Sequence, residues 1–216
     1  MAFPSVKTKA KGGDFKPVPM GVHRAICIQL IDLGVQNVSF KGEAKRQAQV
    51  YLKFEIPSVR VQYEYEGQKV DRPAVVGRTF TNSIGKKSNL RPLLEAWRGK
   101  TFTEQEEKDF DLTNVVGKGC QISIIHKTKP DGGVFANING IMGLSIEQQK
   151  ELQANPKLKQ SENELLVYTP AAHDPEVFSK LPEWIQEKIK TRVEDDGMDQ
   201  TPAKPAEDFD DDIPFN

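Results

Sequence analysis

The residues able to do chemistry in this 216-residue chain are scattered where catalysis would need them together. His23, His126 and His173 stand far apart, with no Cys, Asp or Glu beside them at metal-ligand spacing. Gly85-Lys86-Lys87-Ser88 lacks the earlier glycine and the Lys-Ser/Thr order of a phosphate-gripping loop, and no Gly-x-Ser-x-Gly is present. Cys27 and Cys120 form no metal motif or disulfide framework; in apolar strand-like runs they read as small buried thiols, which fits a reducing cytoplasm. We therefore expect no enzyme, no metal and no cofactor. The chemistry left is that of binding, concentrated in Asp208-Phe209-Asp210-Asp211-Asp212-Ile213-Pro214-Phe215-Asn216. Repulsion among its aspartates keeps such a segment solvated and extended. Its apolar end suits a pocket with a basic rim.

The formal net charge of −1 hides an asymmetry. Residues 194–216 hold nine acids and one base, a net of −8, which leaves residues 1–193 with 29 bases and 22 acids, a net of +7. A basic body tethered to an acidic arm suggests that the body meets a polyanion. No apolar run is long enough to span a membrane, and the N-terminal residues carry lysines without an apolar h-region, so neither a membrane partner nor a secretory signal is expected.

The elements that position these groups follow from periodicity. Residues 1–20, with Lys7, Lys9, Lys11 and Lys16, read as a flexible basic arm. Residues 22–33 alternate with Val22, Ile26, Ile28 and Leu30 inward. Residues 34–48 read as a basic loop. In residues 48–57, Val50, Leu52, Phe54 and Ile56 face the core, with Tyr51 and Lys53 on the other side. Residues 59–65 are β-prone, residues 73–84 form a third strand, and Ser88 caps a helix through Leu90, Leu93, Leu94 and Trp97 that Gly99 stops. Residues 121–127 and 134–142 are the fourth and fifth strands. The chain is thus mainly β. Three strands, a helix and two strands is the layout of a five-stranded OB-fold barrel with a helix between strands 3 and 4, spanning residues 21–144. A small α+β domain shares the same string. Residues 145–193 form a helical extension, with a cap at Ser145, Asp174-Pro175 opening a helix, and a stripe of Leu181, Ile185 and Ile189 that packs on the barrel or makes a dimer contact. A homo-oligomer stays open. Residues 194–216 are a disordered acidic tail.

The nine C-terminal residues closely resemble the acidic tip of bacterial and phage single-stranded DNA-binding proteins (SSBs). Leu93-Leu94-Glu95-Ala96-Trp97-Arg98-Gly99-Lys100 and residues 181–189 are similar to segments of phage SSB-like proteins. Family tips usually end on Phe, whereas here Asn216 follows Phe215. The resemblance implies an OB barrel that coats single-stranded DNA during replication, recombination or repair in the cytoplasm of a bacterial host. It also implies that Asp208, Phe209, Asp210, Asp211, Asp212, Ile213, Pro214 and Phe215 recruit partner proteins for those processes. A protein-interaction adaptor on an OB or α+β scaffold is the alternative.

Single strands are held by basic grooves and flat side chains on which bases stack. The candidate stackers are Phe40, Tyr51, Phe80 and Phe135, and Tyr51 leads because it alternates away from the apolar frame. The candidate phosphate partners are Lys41, Lys45, Arg46, Lys53, Arg78, Lys86, Lys87, Lys127 and Lys129.

Overall fold

A computed structural model describes residues 16–40, 43–65 and 68–193. The basic N-terminal arm up to residue 15 and the acidic tail fall outside the described residues. Strands β1 (Gly21–Phe40), β2 (Glu43–Tyr65) and β3 (Gln68–Thr81) form an antiparallel meander; α1 (Leu90–Arg98) and α2 (Glu104–Asp109) follow, then β4 (Gly119–Thr128) and β5 (Val134–Met142). The extension holds α3 (Ile146–Ala154), β6 (Leu166–Tyr168), α4 (Pro175–Lys180) and α5 (Glu183–Lys190). The sheet order is β3-β2-β1-β4-β5, with β6 parallel to β1.

The sheet is not closed into the expected barrel: no backbone ladder joins its end strands, β3 and β5, among the described residues. Arg78 of β3 instead reaches across and donates from Nη1 to the Ile138 carbonyl of β5 at 2.6 Å. The helix between the third and fourth strands lies where the periodicity puts it. Leu90 and Leu94 enter the core, Trp97 donates to the Gly119 carbonyl at 2.9 Å, and Gly99, at φ 72°, ends the helix in the left-handed conformation that glycine tolerates. Ser88 lies one residue before the cap position, yet its hydroxyl accepts the Leu90 N–H at 3.1 Å.

β1 is the strand on which the rest is hung. Its first residues pair with β4 and residues 26–40 pair with β2. The expected basic loop at 34–48 is therefore largely ladder, because the two strands keep pairing out to Phe40 and Glu43. The edge that β4 leaves beyond Ile26 is taken first by β6, at Gln29 to Ile31, and then by a single bridge between Val35 and Val193. Among the described residues, this side of β1 is thus paired at intervals as far as Val35, which shortens the edge open to another chain.

Register shifts at Cys27/Gln29 and Asp32/Gly34 insert Ile28 and Leu33 as extra residues in β1. Each shift inverts which side chains face which way. Ala25, Cys27 and Leu30 therefore join the main core with Val50, Leu52, Phe54 and Ile56, whereas Ile31 and Leu33 face a second core. This corrects the expected frame. Val22 is 58% exposed, and Ile26 turns away from the main core to line a cavity of about 280 Å³ with Leu144 and with Leu152 and Leu158 of the extension.

The second core is built by the extension. Leu181, Ile185 and Ile189 lie against Ile31, Leu33 and Tyr51, so the stripe packs on the sheet. Glu55, 1% exposed, accepts from the Glu162 and Asn163 backbone N–H groups at 3.0 and 2.8 Å and from Asn163 Nδ2 at 2.7 Å. Buried Gln36 donates to the Leu33 and Lys188 carbonyls at 2.7 and 2.9 Å, tying the end of α5 to β1. Among the described residues, no helix is long and apolar enough to cross a membrane.

Candidate nucleic-acid interface

The sheet face that sequence alternation offers to a ligand is covered by the extension around Tyr51. Tyr51 does point away from the main core, but it is only 6% exposed, with its ring edge-on to Trp184 at a centroid distance of 5.1 Å. It is a core residue of the sheet–extension interface and does not present a stacking face. The reason is the second apolar layer: outward on a sheet means solvent-facing only when nothing covers that side. Lys53, two residues on, is half-buried in the same layer, and desolvation lowers its pKa. Half-buried and desolvated, it differs from the exposed lysines that could meet a phosphate.

Two further candidates lie on the core side of β3. Phe80 is 5% exposed within the main core. Arg78 pairs in register with Leu52, lies over the Phe80 ring at 5.2 Å, and spends Nη1 on the Ile138 carbonyl. Arg78 thus links the two ends of the sheet, and Phe80 packs in the main core.

The remaining described candidates sit on connections. Lys45 and Arg46 are exposed near the start of β2, opposite Val38 and Asn37. Phe40 ends β1, and Lys41 falls outside the described residues. Lys86 and Lys87 are exposed in the loop between β3 and α1. Lys127 and Phe135 are direct cross-strand partners at the β4–β5 hairpin. They alternate away from the buried Ile122 and Ile124, so cation and ring share the outer face. Phe135 is half-buried but belongs to neither core. Lys129 is held in the turn by its N–H on the Gly133 carbonyl at 2.7 Å, with Gly132 at φ 85°. Strand register puts the β1–β2 and β4–β5 hairpin tips beyond opposite ends of β1, since Gly21 pairs with Ile124 and Phe40 with Glu43. Pairing alone thus gives separate basic patches. The tip residues Asp208 to Phe215 fall outside the described residues.

Sequence reasoning missed α2 and what it supplies. Thr103 and Glu106 form a reciprocal capping box, Thr103 Oγ1 accepting from the Glu106 N–H at 3.2 Å and Glu106 Oε2 from the Thr103 N–H at 3.1 Å. That Thr-x-x-Glu spacing was a usable signal. Lys100 and Arg98 also meet Glu106, and these contacts hold its carboxyl at about 2. Next to α2 lies a cavity of about 390 Å³ bounded by the β3–α1 loop. The thiols of Cys27 and Cys120 are buried, and burial pushes Cys27 up to about 12, away from reactivity. No protein-family model matches the chain, and no curated protein is significantly similar to it.

Proposed function

We propose that this chain is a single-stranded DNA-binding protein of OB type, non-enzymatic, acting in phage or bacterial DNA replication, recombination or repair. The observation that carries the reading is the sheet itself: a five-strand antiparallel order β3-β2-β1-β4-β5 with a helix between the third and fourth strands, its open ends drawn together through Arg78 and Ile138. OB domains bind oligonucleotides through the face of strands 2 and 3 and through the loops after strands 1 and 4. Here the extension covers part of that face, and contact falls to the connections. Lys127 and Phe135 supply a cation beside a ring, Lys45 and Arg46 a basic hairpin, and Lys86 and Lys87 a basic loop. The strand is coated with little sequence preference, because backbone charge and stacking supply most of the affinity. The acidic tip, which resembles that of SSBs, recruits replication, recombination or repair proteins.

The test is fluorescence anisotropy with a labelled oligo-dT and a matching duplex over a salt series. Log affinity for the single strand should fall with log salt at a slope of about −0.7 per phosphate contacted. The double charge reversal Lys45→Glu/Arg46→Glu should flatten that slope, and Phe135→Ala should cost on the order of 1–3 kcal/mol if a base stacks there. Equal affinity for duplex and single strand, or affinity indifferent to salt, refutes the reading.

A further inference from the structure

The 390 Å³ cavity beside the β3–α1 loop is at the lower end of the size range of small-ligand pockets. Its wall is mixed. Asn82, Ser83 and Gly85 come from the loop, and Glu107, Phe110 and Leu112 from α2 and the turn after it. The Phe110 ring stands edge-on to Phe102 at 5.0 Å, with the Arg98 guanidinium 5.3 Å from its centroid. The ring is thus fixed in place while it lines the cavity. Glu107 is held by Arg91, whose Nη1 lies 2.6 Å from Oε1. Ser83 Oγ accepts the Gly85 N–H at 3.3 Å, and Arg91 also ties down the Ile84 carbonyl at 3.1 Å. The same loop carries exposed Lys86 and Lys87.

A carboxylate in the wall argues against a phosphate inside, since like charges repel. The phosphates belong with the two lysines, and the uncharged part of a nucleotide belongs in the cavity. We propose that this cavity takes one unstacked base of the bound strand and that guanine is the base it prefers. This rests on the single-strand reading above. Glu107 accepts hydrogen bonds and donates none. Guanine presents adjacent N1–H and N2–H donors, with O6 left for the Asn82 amide. Thymine turns two carbonyl oxygens toward the same edge and would set them against the carboxylate. Adenine and cytosine each offer one amino group beside a ring-nitrogen acceptor, a partial match. The bound strand is then read at one position while the rest is coated without preference.

The experiment compares oligo-dT strands carrying one central guanine, inosine, adenine or cytosine, titrated against the full chain. The guanine strand should bind about tenfold more tightly than oligo-dT, within the range of a good bidentate base contact. Inosine, which lacks the N2 amino group, should fall between them. Glu107→Gln and, separately, the exposed Asn82→Ala should each reduce the preference, with thermal midpoints recorded because Glu107 also pairs with Arg91. Lys86→Glu/Lys87→Glu should weaken all strands alike. Equal binding of all strands by the parent, or a guanine preference that survives both Glu107→Gln and Asn82→Ala, overturns the base subsite and leaves single-strand binding standing. A chain that binds no strand at any salt overturns both.

Discussion

Replacing Tyr51 by alanine separates a buried ring from a base-stacking one. The side chain is 6% exposed, packed with Ile31, Leu181 and Ile185, and edge-on to Trp184. Truncating a buried aromatic costs about 3–5 kcal/mol. The lost ring pair with Trp184 accounts for about 0.5–1.5 kcal/mol of that. For a domain of this size the thermal midpoint moves about 2–4 °C per kcal/mol, so Tyr51→Ala should lower it by about 6–20 °C. Gly77 supplies an internal check. A Cβ there would overlap the Tyr51 phenol, so Gly77→Ala should destabilise the parent. In the Tyr51→Ala background the overlap is gone, and the second substitution should cost far less than in the parent. The assay is a four-member cycle by urea denaturation and thermal melting, with oligonucleotide affinity measured well below every midpoint. Tyr51→Ala should bind single strands like the parent while folded. Unchanged stability with a clear loss of affinity would show that the ring meets bases, and would refute the placement of the extension over the sheet.

Two further outcomes follow from charge. Glu106 is depressed from 4.5 to about 2 by Lys100, the Thr103 N–H and Arg98, so its contribution is present above pH 4.5 and lost as pH falls toward 2. The protection of α2 amides relative to their intrinsic exchange rates should fall as pH is lowered across that window in the parent, and Glu106→Gln should remove that part of the pH dependence; identical protection profiles would refute the assignment. Deleting residues 194–216, which carry a net of −8 against +7 elsewhere, should tighten single-strand binding at low salt, with the difference shrinking as salt is added; Phe215→Ala alone should leave that binding unchanged while weakening partner capture. A truncated chain with unchanged low-salt affinity would show that tail and body ignore each other.

Much of the element order was legible because most elements obey one period each. The face Val50, Leu52, Phe54 and Ile56 needs only alternation, and the α1 stripe Leu90, Leu94 needs only helical spacing before Gly99. The two faces of β1 are not legible in the sequence, because no residue type marks where a bulge falls. Two inserted residues let one strand serve both cores, and an alternation frame carried straight through cannot show that. Sequence pattern puts the third strand at 73–84, whereas it runs over Gln68–Thr81, because its early part pairs with residues past the irregularity between Ile56 and Arg60 of β2. β6 was invisible, since three residues carry no period. Site residues failed for a related reason. Local alternation puts Tyr51 away from the apolar frame and makes it a candidate stacker, but its environment is set by α5, more than a hundred residues later in the chain.

The covering of that sheet face changes how a single strand would be held. An open face lined with rings lets successive bases stack, and affinity then depends mainly on aromatic contact. Tyr51 and Phe80 are buried in the cores and both tryptophans pack against them, whereas Phe135 lies outside both cores and Lys45, Arg46, Lys86 and Lys87 are exposed. Binding by this chain would therefore lean on phosphate contacts at its connections. Such binding is salt-sensitive, and it is the kind that an acidic tail of −8 could oppose most directly. Burial of the sheet face by the extension and the charge of the tail thus bear on one quantity, the salt slope, through different parts of the chain.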